Sequence, residues 1–242
     1  HTLWFRGGFP NAFLAPNDNL WKQWLDNFIK TYLERDLPIL GLNIGIRTLR
    51  NLWTMIALSH GSVINYSNFS RSLDLHLATI KKYLDFLENA FLVRQLQPYY
   101  PNIKKRIVKS PKIYVRDTGI LHNLLNIDTE EALEGNPMKG NSWEGFVIEQ
   151  ILQITGSDYQ PYFYRTHQGA ECDLVLIKSS KPVFAIEIKY ASAPKLTKGN
   201  IIAFEDIGAE YNFVITPDTE EYPIAKNIKV CSLKSFLKKY VG

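Results

Sequence analysis

The sequence has few of the residues and patterns that mark several classes of protein. Among its 242 residues there are only two cysteines. Cys172 and Cys231 lie in apolar, strand-like stretches without a histidine pair nearby, which argues against a zinc site and favours buried free thiols over a disulfide. No run of about 18 apolar residues occurs, so the sequence predicts no membrane-spanning helix and no membrane partner. We therefore expect a protein of the reducing cytoplasm.

A nucleotide-binding loop is also missing. Gly135 and Gly140 have the glycine spacing of a Walker A motif, but Asn141 follows where that motif requires lysine. The first residues, from His1 onward, include neither an initiator methionine nor the layout of a signal peptide. We therefore expect a fragment of a longer protein, without an ATP site of its own.

Charge is distributed unevenly along the chain. The net charge is +4, yet residues 46–116 contain 12 Lys/Arg and 3 Asp/Glu, a balance of +9, while the remainder contains 16 and 21, a balance of −5. Such a concentration of basic residues is typical of nucleic-acid binding, although a solvated basic face has the same composition. The apolar fraction of 45% is enough for one large or two ordinary domains.

The first half of the chain predicts helices and then a winged helix-turn-helix. Asn17 or Asp18 can cap a helix that we expect to end near Asp36, ahead of Pro38. Further on, two short helices separated by a turn precede two strands that are joined by a basic turn, which is the winged-helix pattern. These predicted elements cover residues 65–73, 77–88, 92–96 and 111–115.

The second helix of this pattern is the candidate for reading nucleic acid. Leu77, Ile80, Leu84 and Leu87 form the stripe that we expect to be buried. Winged helices that serve only as protein–protein modules share the pattern, so both interpretations stay open. The residues that we expect to contact nucleic acid lie off the stripe or in the wing: Thr79, Lys81, Lys82, Lys104, Lys105, Arg106 and Lys109.

Three charged residues late in the chain indicate a catalytic centre. Asp173 lies in one apolar strand-like run, and Glu187 and Lys189 lie two residues apart in the next. If the strands pair, two carboxylates and one ammonium converge on one face. Carboxylate oxygens suit Mg²⁺ or Mn²⁺, and such a metal can hold a phosphate and acidify a water while lysine stabilises the developing charge. A metal-dependent phosphodiesterase is one interpretation, and a solvated charged strand face is the other.

A helix over residues 141–152 precedes these strands and places Glu144 beside its apolar stripe. A helix followed by strands that carry Asp and Glu-x-Lys is the order of elements in the PD-(D/E)XK nuclease-like fold. We therefore expect Glu144, Asp173, Glu187 and Lys189 to be catalytic, with Asp173 and Glu187 as the metal ligands. The strand that carries Glu187 and Lys189 covers residues 183–189. Residues 211–216 and 228–231 predict further strands, with parallel pairing across a helical crossover.

Several motifs carry a resemblance to a known family. They are residues 6–10, 32–37, 140–147, 164–173 and 187–189. In this order they resemble the C-terminal portion of prokaryotic AAA-type ATPase proteins that end in a DUF4143 domain. The resemblance implies an upstream ATPase module, absent from this sequence, that would bind ATP. It also implies a winged helix followed by a restriction-endonuclease-like fold, with site positions Glu144, Asp173, Glu187 and Lys189.

Together these observations predict an α/β protein in three parts. Residues 1–45 would be a helical linker from the ATPase module, residues 46–125 the winged helix-turn-helix, and residues 126–242 the restriction-endonuclease-like α/β domain. Three functions stay open: a metal-dependent DNA endonuclease coupled to an ATPase, a non-catalytic nucleic-acid-binding region, and a protein-interaction module. The expected partners are nucleic acid, with DNA favoured, and the upstream ATPase module. The sequence leaves the oligomeric state open.

Overall fold

The structure, a computed structural model, describes residues 1–41, 44–101 and 105–242. Its internal contacts divide the chain into two compact units. The first consists of His1–Gln95 and Ile113–Phe146, and the second of Leu96–Lys112 and Val147–Gly242. The chain therefore enters the second unit early, returns to the first, and enters the second again.

Helices dominate the first unit, and strands dominate the second. Two π-helical turns, Tyr32–Asp36 and Leu237–Val241, and a 3₁₀ turn at Gly156–Asp158 supplement the α-helices. The α-helices of the described residues are α1 (Thr2–Arg6), α2 (Pro10–Phe13), α3 (Asp18–Thr31), α4 (Leu37–Ile39), α5 (Ile46–Leu58), α6 (Tyr66–Leu73), α7 (Leu77–Asn89), α8 (Thr118–Leu124), α9 (Glu130–Glu134), α10 (Lys139–Thr155), α11 (Lys198–Ile207) and α12 (Leu233–Phe236).

The strands alternate with these helices, so the protein is of mixed α/β class, as the sequence predicts. None of the helices in the described part of the chain has the length and apolar character needed to cross a membrane. The strands are β1 (Ser62–Val63), β2 (Val93–Pro98), β3 (Lys112–Val115), β4 (Gln160–Arg165), β5 (Glu171–Lys178), β6 (Lys181–Ile188), β7 (Tyr211–Thr216), β8 (Tyr222–Ala225) and β9 (Ile228–Ser232).

The long N-terminal helix begins as predicted but continues further. The Asn17 side chain accepts a hydrogen bond from the backbone N–H of Leu20 at 3.0 Å, which caps α3. The expected end near Asp36 is wrong, because helical backbone continues through Pro38 to Ile39. Pro38 has no N–H to offer the ladder and its ring would crowd an ordinary α-turn, and the π-helical turn before it relieves that conflict.

Helix α7 buries three of the four apolar residues that we expect to form its buried stripe. Ile80, Leu84 and Leu87 are fully buried, and Phe69 of α6 is buried in the same unit. Leu77 is 41% exposed, so its assignment to the buried stripe is wrong. Leu77 is the first residue of the helix, where a side chain has no preceding turn to pack against.

The sheet of the second unit has the order β2-β4-β5-β6-β7-β9-β8. Strands β4, β5 and β6 pair antiparallel, whereas β6, β7 and β9 pair parallel. Helix α11 connects β6 to β7, so the predicted parallel crossover is confirmed. The edge strand β8 was not predicted. Buried apolar residues from this sheet and α11 form the core, including Val175, Ala185, Phe204 and Val214.

Candidate functional site

The hairpin of β5 and β6 sets the register on which the site depends. Ser179 and Ser180 both have positive φ, which gives the two-residue turn typical of tight hairpins. Two residue pairs beyond this turn, the register shifts at a β-bulge, so that Leu174 pairs with Ile186. Continued by one residue, this register places Asp173 opposite Glu187. Residues that pair directly across antiparallel strands share a face, so the bulge places both carboxylates on the same face.

Asp173 is buried and fully engaged by its neighbours. Its side chain is 8% exposed. One carboxylate oxygen lies 3.2 Å from Lys112 Nζ, and the other accepts a hydrogen bond from the backbone N–H of Ile188 at 3.0 Å. The contact with Ile188 joins the end of β6 to the start of β5, so Asp173 is held by the strand that carries Glu187.

Lys112 is the site residue that sequence reasoning missed. It lies in the second unit at the start of β3, and its side chain is only 2% exposed. Its ammonium lies 2.8 Å from Glu171 Oε1, as well as 3.2 Å from Asp173 Oδ1, and 5.7 Å from the centre of the Phe163 ring. The sequence does contain a signal for this residue. Lys112 lies between Pro111 and the apolar residues 113–115, and a charged residue within an apolar run indicates a buried charge that needs a partner.

Glu187 pairs with Lys189, as residues two apart on a strand can. Lys189 Nζ lies 2.6 Å from Glu187 Oε1, where the carboxylate is 4% exposed and the lysine side chain 36% exposed. The ammonium therefore reaches from solvent to a buried carboxylate. The structure thus brings Asp173, Glu187 and Lys189 to one end of the same hairpin, joined by Lys112.

Cys172 lies between Glu171 and Asp173 in sequence, but its side chain does not reach solvent. It is completely buried, and its thiol contacts the carbonyl oxygens of Ile186 and Leu174 at 3.3 and 3.6 Å. Burial raises the pKa of the Cys172 thiol well above its usual value, and the charges of Glu187 and Asp173 raise it further. The thiol is therefore neutral and inert at physiological pH.

Glu144 lies in the first unit, on α10, and is half-buried. One of its carboxylate oxygens accepts a hydrogen bond from the Tyr114 hydroxyl at 2.5 Å. Both residues belong to the first unit, so the contacts that fix Glu144 there are local. Its expected place in the catalytic set stays a prediction.

The donor set of the second unit is compatible with a hard divalent metal. Asp173 and Glu187 offer carboxylate oxygens on one face, and Mg²⁺ typically takes one or two protein carboxylates and completes its shell with water and substrate phosphate. No group of three or more His, Cys, Asp and Glu side chains arranged to hold a metal occurs within residues 1–41, 44–101 and 105–242. Asp173 and Glu187 would therefore be the protein ligands of such a metal, and water or substrate would supply the rest of its shell.

The exposed face of α7 forms the wall of a groove. Thr79, Lys81 and Lys82 line a cavity of about 660 Å³ in the first unit, together with Asp85. Lys81 also lies 5.2 Å from the centre of the Tyr66 ring. The cavity is mixed in charge, since the two lysines face it alongside an acidic side chain.

The expected wing residues differ in their surroundings. Lys104 lies outside the described residues. Lys105 is held by Asp206, with Nζ 2.6 Å from Oδ1, whereas Arg106 and Lys109 are exposed. This segment runs beside the end of β4, where the Val108 N–H donates to the Arg165 carbonyl at 3.0 Å. Two exposed cations thus lie on a segment anchored in the same unit as the carboxylates.

Comparison with known families identifies both parts of the chain. The profile of the "Domain of unknown function (DUF8612)" matches residues 1–131, slightly more than half of the chain. The chain belongs to the DUF8612 family. The profile of the "Domain of unknown function (DUF4143)" matches residues 139–236. The DUF4143 resemblance drawn from the motifs is therefore confirmed for the second part, whereas the first part matches a separate family.

Two mycobacterial relatives cover most of this sequence. The uncharacterized proteins Mb2031c of Mycobacterium bovis and Rv2008c of Mycobacterium tuberculosis are each 42% identical to it over 226 residues. The alignment covers 93% of this chain and 51% of each relative, so the chain spans about half the length of the curated relatives that it matches.

Among solved structures, a similar chain belongs to the half-complex of Thermococcus gammatolerans McrB AAA+ hexamers with bound McrC. The alignment covers 91% of this chain and 72% of that chain, at 10% identity and a TM-score of 0.32. A score this low does not indicate a shared fold.

Proposed function

We propose that this chain is the C-terminal part of an AAA-type ATPase protein, that it binds nucleic acid, and that its second unit contains a metal-dependent phosphodiesterase centre. The observation that carries the proposal is the convergence of Asp173, Glu187 and Lys189. Two carboxylates that face each other across a hairpin, with an ammonium reaching one of them from solvent, form a donor set suited to a metal and a phosphate.

Each residue has a distinct task in this proposal. Asp173 and Glu187 would hold Mg²⁺ or Mn²⁺, which when bound supplies Lewis acidity toward a phosphate and a more acidic water. Lys189 is partly exposed beside Glu187, so its ammonium can contact the negative charge that develops on a phosphoryl oxygen. Burial of Asp173 and Glu187 excludes water around them and strengthens these charge interactions.

Nucleic acid is the substrate class that the charges favour. The exposed cations Arg106 and Lys109 lie in the same unit as the carboxylates, and Lys81 and Lys82 line the groove of the first unit. Basic side chains of this kind contact phosphates irrespective of base sequence. DNA is the form that we propose, in line with the winged helix-turn-helix predicted from the sequence.

The ATPase module belongs to the proposal for the longer protein. It rests on the motifs that resemble the C-terminal portion of AAA-type ATPase proteins, and the greater length of the mycobacterial relatives accommodates it. ATP would act in that module, and oligomerisation would follow from it. The proposed task of this chain is to bind the nucleic acid on which the whole protein acts.

A cleavage assay tests the catalytic part. The purified chain is incubated with duplex, single-stranded and branched DNA and with RNA, in Mn²⁺, Mg²⁺ or EDTA. We expect metal-dependent cleavage that Asp173→Asn and Lys189→Met each reduce by at least about 100-fold, because each removes charge stabilisation that acts on the reacting phosphate. Lys195→Met, which changes an exposed lysine outside the site, is the matched control. Cleavage that survives in Asp173→Asn would refute the assignment.

A non-catalytic nucleic-acid-binding scaffold is the second candidate, and the internal ion pairs favour it. Asp173 lies 3.2 Å from Lys112 Nζ, and Glu187 lies 2.6 Å from Lys189 Nζ. Both carboxylates are therefore already compensated by protein cations. This candidate predicts binding of DNA that depends on salt but not on metal, with no cleavage in any variant.

A further inference from the structure

Lys112 is a buried cation in contact with Asp173, one of the two proposed metal ligands. Its side chain is 2% exposed, and it lies within 3.2 Å of carboxylate oxygens of both Glu171 and Asp173. Lysine is rarely this buried unless it is paired, because removing its charge from water is costly. The two carboxylates therefore stabilise Lys112, and Lys112 in turn compensates their charge.

The acids around Lys112 have different surroundings. Glu171 is 29% exposed and has a second cation nearby, Arg165, whose Nη1 lies 3.6 Å from Glu171 Oε2. Asp173 is 8% exposed and receives the Ile188 N–H in addition to Lys112. The backbone carbonyl of Glu171 accepts a hydrogen bond from Asn200 Nδ2 at 3.2 Å, which fixes the start of β5 beside α11. Lys112 Nζ is therefore shared by two acids, and it lies 2.8 Å from the partly solvated Glu171 and 3.2 Å from the more buried Asp173.

We propose that Lys112 is a built-in counter-ion that competes with a divalent metal for Asp173 and so sets the metal affinity of the site. The inference rests on the metal site of the proposed function. A unit positive charge within 3.2 Å of a metal ligand opposes the approach of a second cation, and burial makes that opposition stronger than it would be in water. Lys112 keeps the hairpin folded without metal and weakens metal binding at the same time.

Two substitutions are expected to affect the metal affinity differently: Lys112→Met should raise it, and Glu171→Gln should not. Lys112→Met keeps the length of the side chain and removes its charge, so Mn²⁺ should bind at least about tenfold more tightly than to the wild type. Glu171→Gln leaves Lys112 with Asp173 as its main acidic partner, so the affinity should be unchanged or lower. A purely structural role for Lys112 would not raise the metal affinity when its charge is removed.

The measurement is calorimetric titration of Mn²⁺ into the metal-free chain, together with the thermal unfolding temperature with and without Mn²⁺. In Lys112→Met, Mn²⁺ should raise the unfolding temperature more than it does in the wild type, and the added substitution Asp173→Asn should abolish the gain in affinity. Lys112→Gln, which keeps hydrogen-bond donors for the carboxylates, replaces Lys112→Met if the latter does not fold.

The outcomes separate this inference from the proposed function. Tighter Mn²⁺ binding by Lys112→Met supports the inference even if the wild type cleaves nothing, in which case the scaffold function gains. Wild-type affinity in Lys112→Met and Lys112→Gln overturns the inference, and cleavage by the wild type would still support the proposed function. A gain in affinity that persists after Asp173→Asn also overturns it, because the metal would then bind elsewhere.

Discussion

At the scale of single residues, two glycines of similar position have opposite surroundings. Gly119 and Gly140 are the second residues of α8 and α10. A Cβ added at Gly119 would overlap the backbone carbonyl of Arg6, whereas a Cβ added at Gly140 would meet nothing within 4 Å. The close approach at Gly119 gives the N-terminal Arg-Gly-Gly motif a structural explanation.

This contrast gives the first stability prediction. Gly119→Ala should lower the free energy of unfolding by about 1–3 kcal/mol, because the backbone near Arg6 must move to admit the methyl group. Gly140→Ala should raise it by up to about 1 kcal/mol, because alanine favours helix over glycine without a clash. Chemical denaturation of both variants tests the pair. Equal effects on the free energy of unfolding would show that the contact of Gly119 with Arg6 is not tight in solution.

The N-terminal motif is also joined to Asp117. Its carboxylate accepts hydrogen bonds from the backbone N–H groups of Gly8 at 2.7 Å and Ile120 at 2.9 Å. Gly7 has a φ of +81°, and a side chain there would overlap Asp117. The motif that carried part of the family resemblance therefore fixes the first segment onto α8, in addition to any role it has in the longer protein.

At the scale of elements, helix α10 carries Glu144, which we predict to be catalytic, and also Ser142, which belongs to a buried network of hydrogen bonds. His122 Nδ1 donates to the Phe5 carbonyl at 2.8 Å, and its Nε2 accepts from the Ser142 hydroxyl at 2.7 Å. The Trp4 indole N–H also donates to that hydroxyl, at 2.9 Å. A Ser–His contact can mark a nucleophile and its base, but Ser142 and His122 are fully buried. The network is structural, and it joins α10 to the N-terminal segment.

His60 is buried in the same unit against the same helix. Its Nδ1 accepts from the Val115 N–H at 3.0 Å, and its Nε2 donates to the Asn141 carbonyl at 3.1 Å. Burial lowers the pKa of His60 to about 3, with a further contribution from the charge of His122, and burial lowers the pKa of His122 to about 4. Both imidazoles are therefore neutral in the folded protein at any pH near neutrality.

These lowered pKa values predict acid sensitivity. Below about pH 6.5 the histidines of the unfolded chain bind protons while His60 and His122 in the folded chain do not, so the free energy of unfolding should fall. The loss should reach a few kcal/mol as the pH approaches 4. Chemical denaturation between pH 7.5 and 5.5 measures the slope. His122→Gln should flatten it, because one of the two histidines with a lowered pKa is then removed.

The bulge in β6 shows why the site could be predicted only in part. The alternation of Glu187 and Lys189 on a strand placed them on one face, and the ion pair between them confirms that expectation. Asp173 faces Glu187 only because the bulge shifts the register by one residue, and without that shift Asp173 would pair with Ile186. Turn and bulge geometry depend on local packing that periodicity does not reveal.

Contacts between residues far apart in the sequence are harder still to predict. Lys112 is separated from Asp173 by 61 residues, and no spacing rule connects them. The long helices α3 and α7 could be predicted from their apolar periodicity, because amphipathic spacing repeats over several turns. The short helices α1 and α2 could not, because each spans little more than one turn. The two-residue strand β1 and the edge strand β8 escaped recognition, because their residues do not alternate clearly and several of them are exposed.

At the scale of the whole molecule, the basic segment near residue 106 predicts how the protein binds nucleic acid. Arg106→Gln combined with Lys109→Gln should weaken binding to unrelated DNA sequences alike, and should reduce the dependence of log Kd on log salt by about 1 per charge removed. Lys105 should matter less, because Asp206 already compensates its charge. Fluorescence anisotropy across a salt series measures both quantities.

A matched control distinguishes the effect of this basic segment on DNA binding from the effect of the total charge of the protein. Lys195→Gln combined with Lys226→Gln removes the same number of charges at exposed positions outside the segment. If the control weakens binding as much as the Arg106 and Lys109 pair does, then total charge rather than this segment governs affinity.

The metal site formed by Asp173 and Glu187 is the central claim, and one titration tests it most directly. Mn²⁺ is titrated calorimetrically into the chain in the presence of excess duplex DNA, which can supply phosphate oxygens to the metal. We expect saturable binding by the wild type that is lost in both Asp173→Asn and Glu187→Gln, with the fold of each variant verified by circular dichroism. Binding in both variants equal to that of the wild type, or no binding by the wild type, would contradict the account.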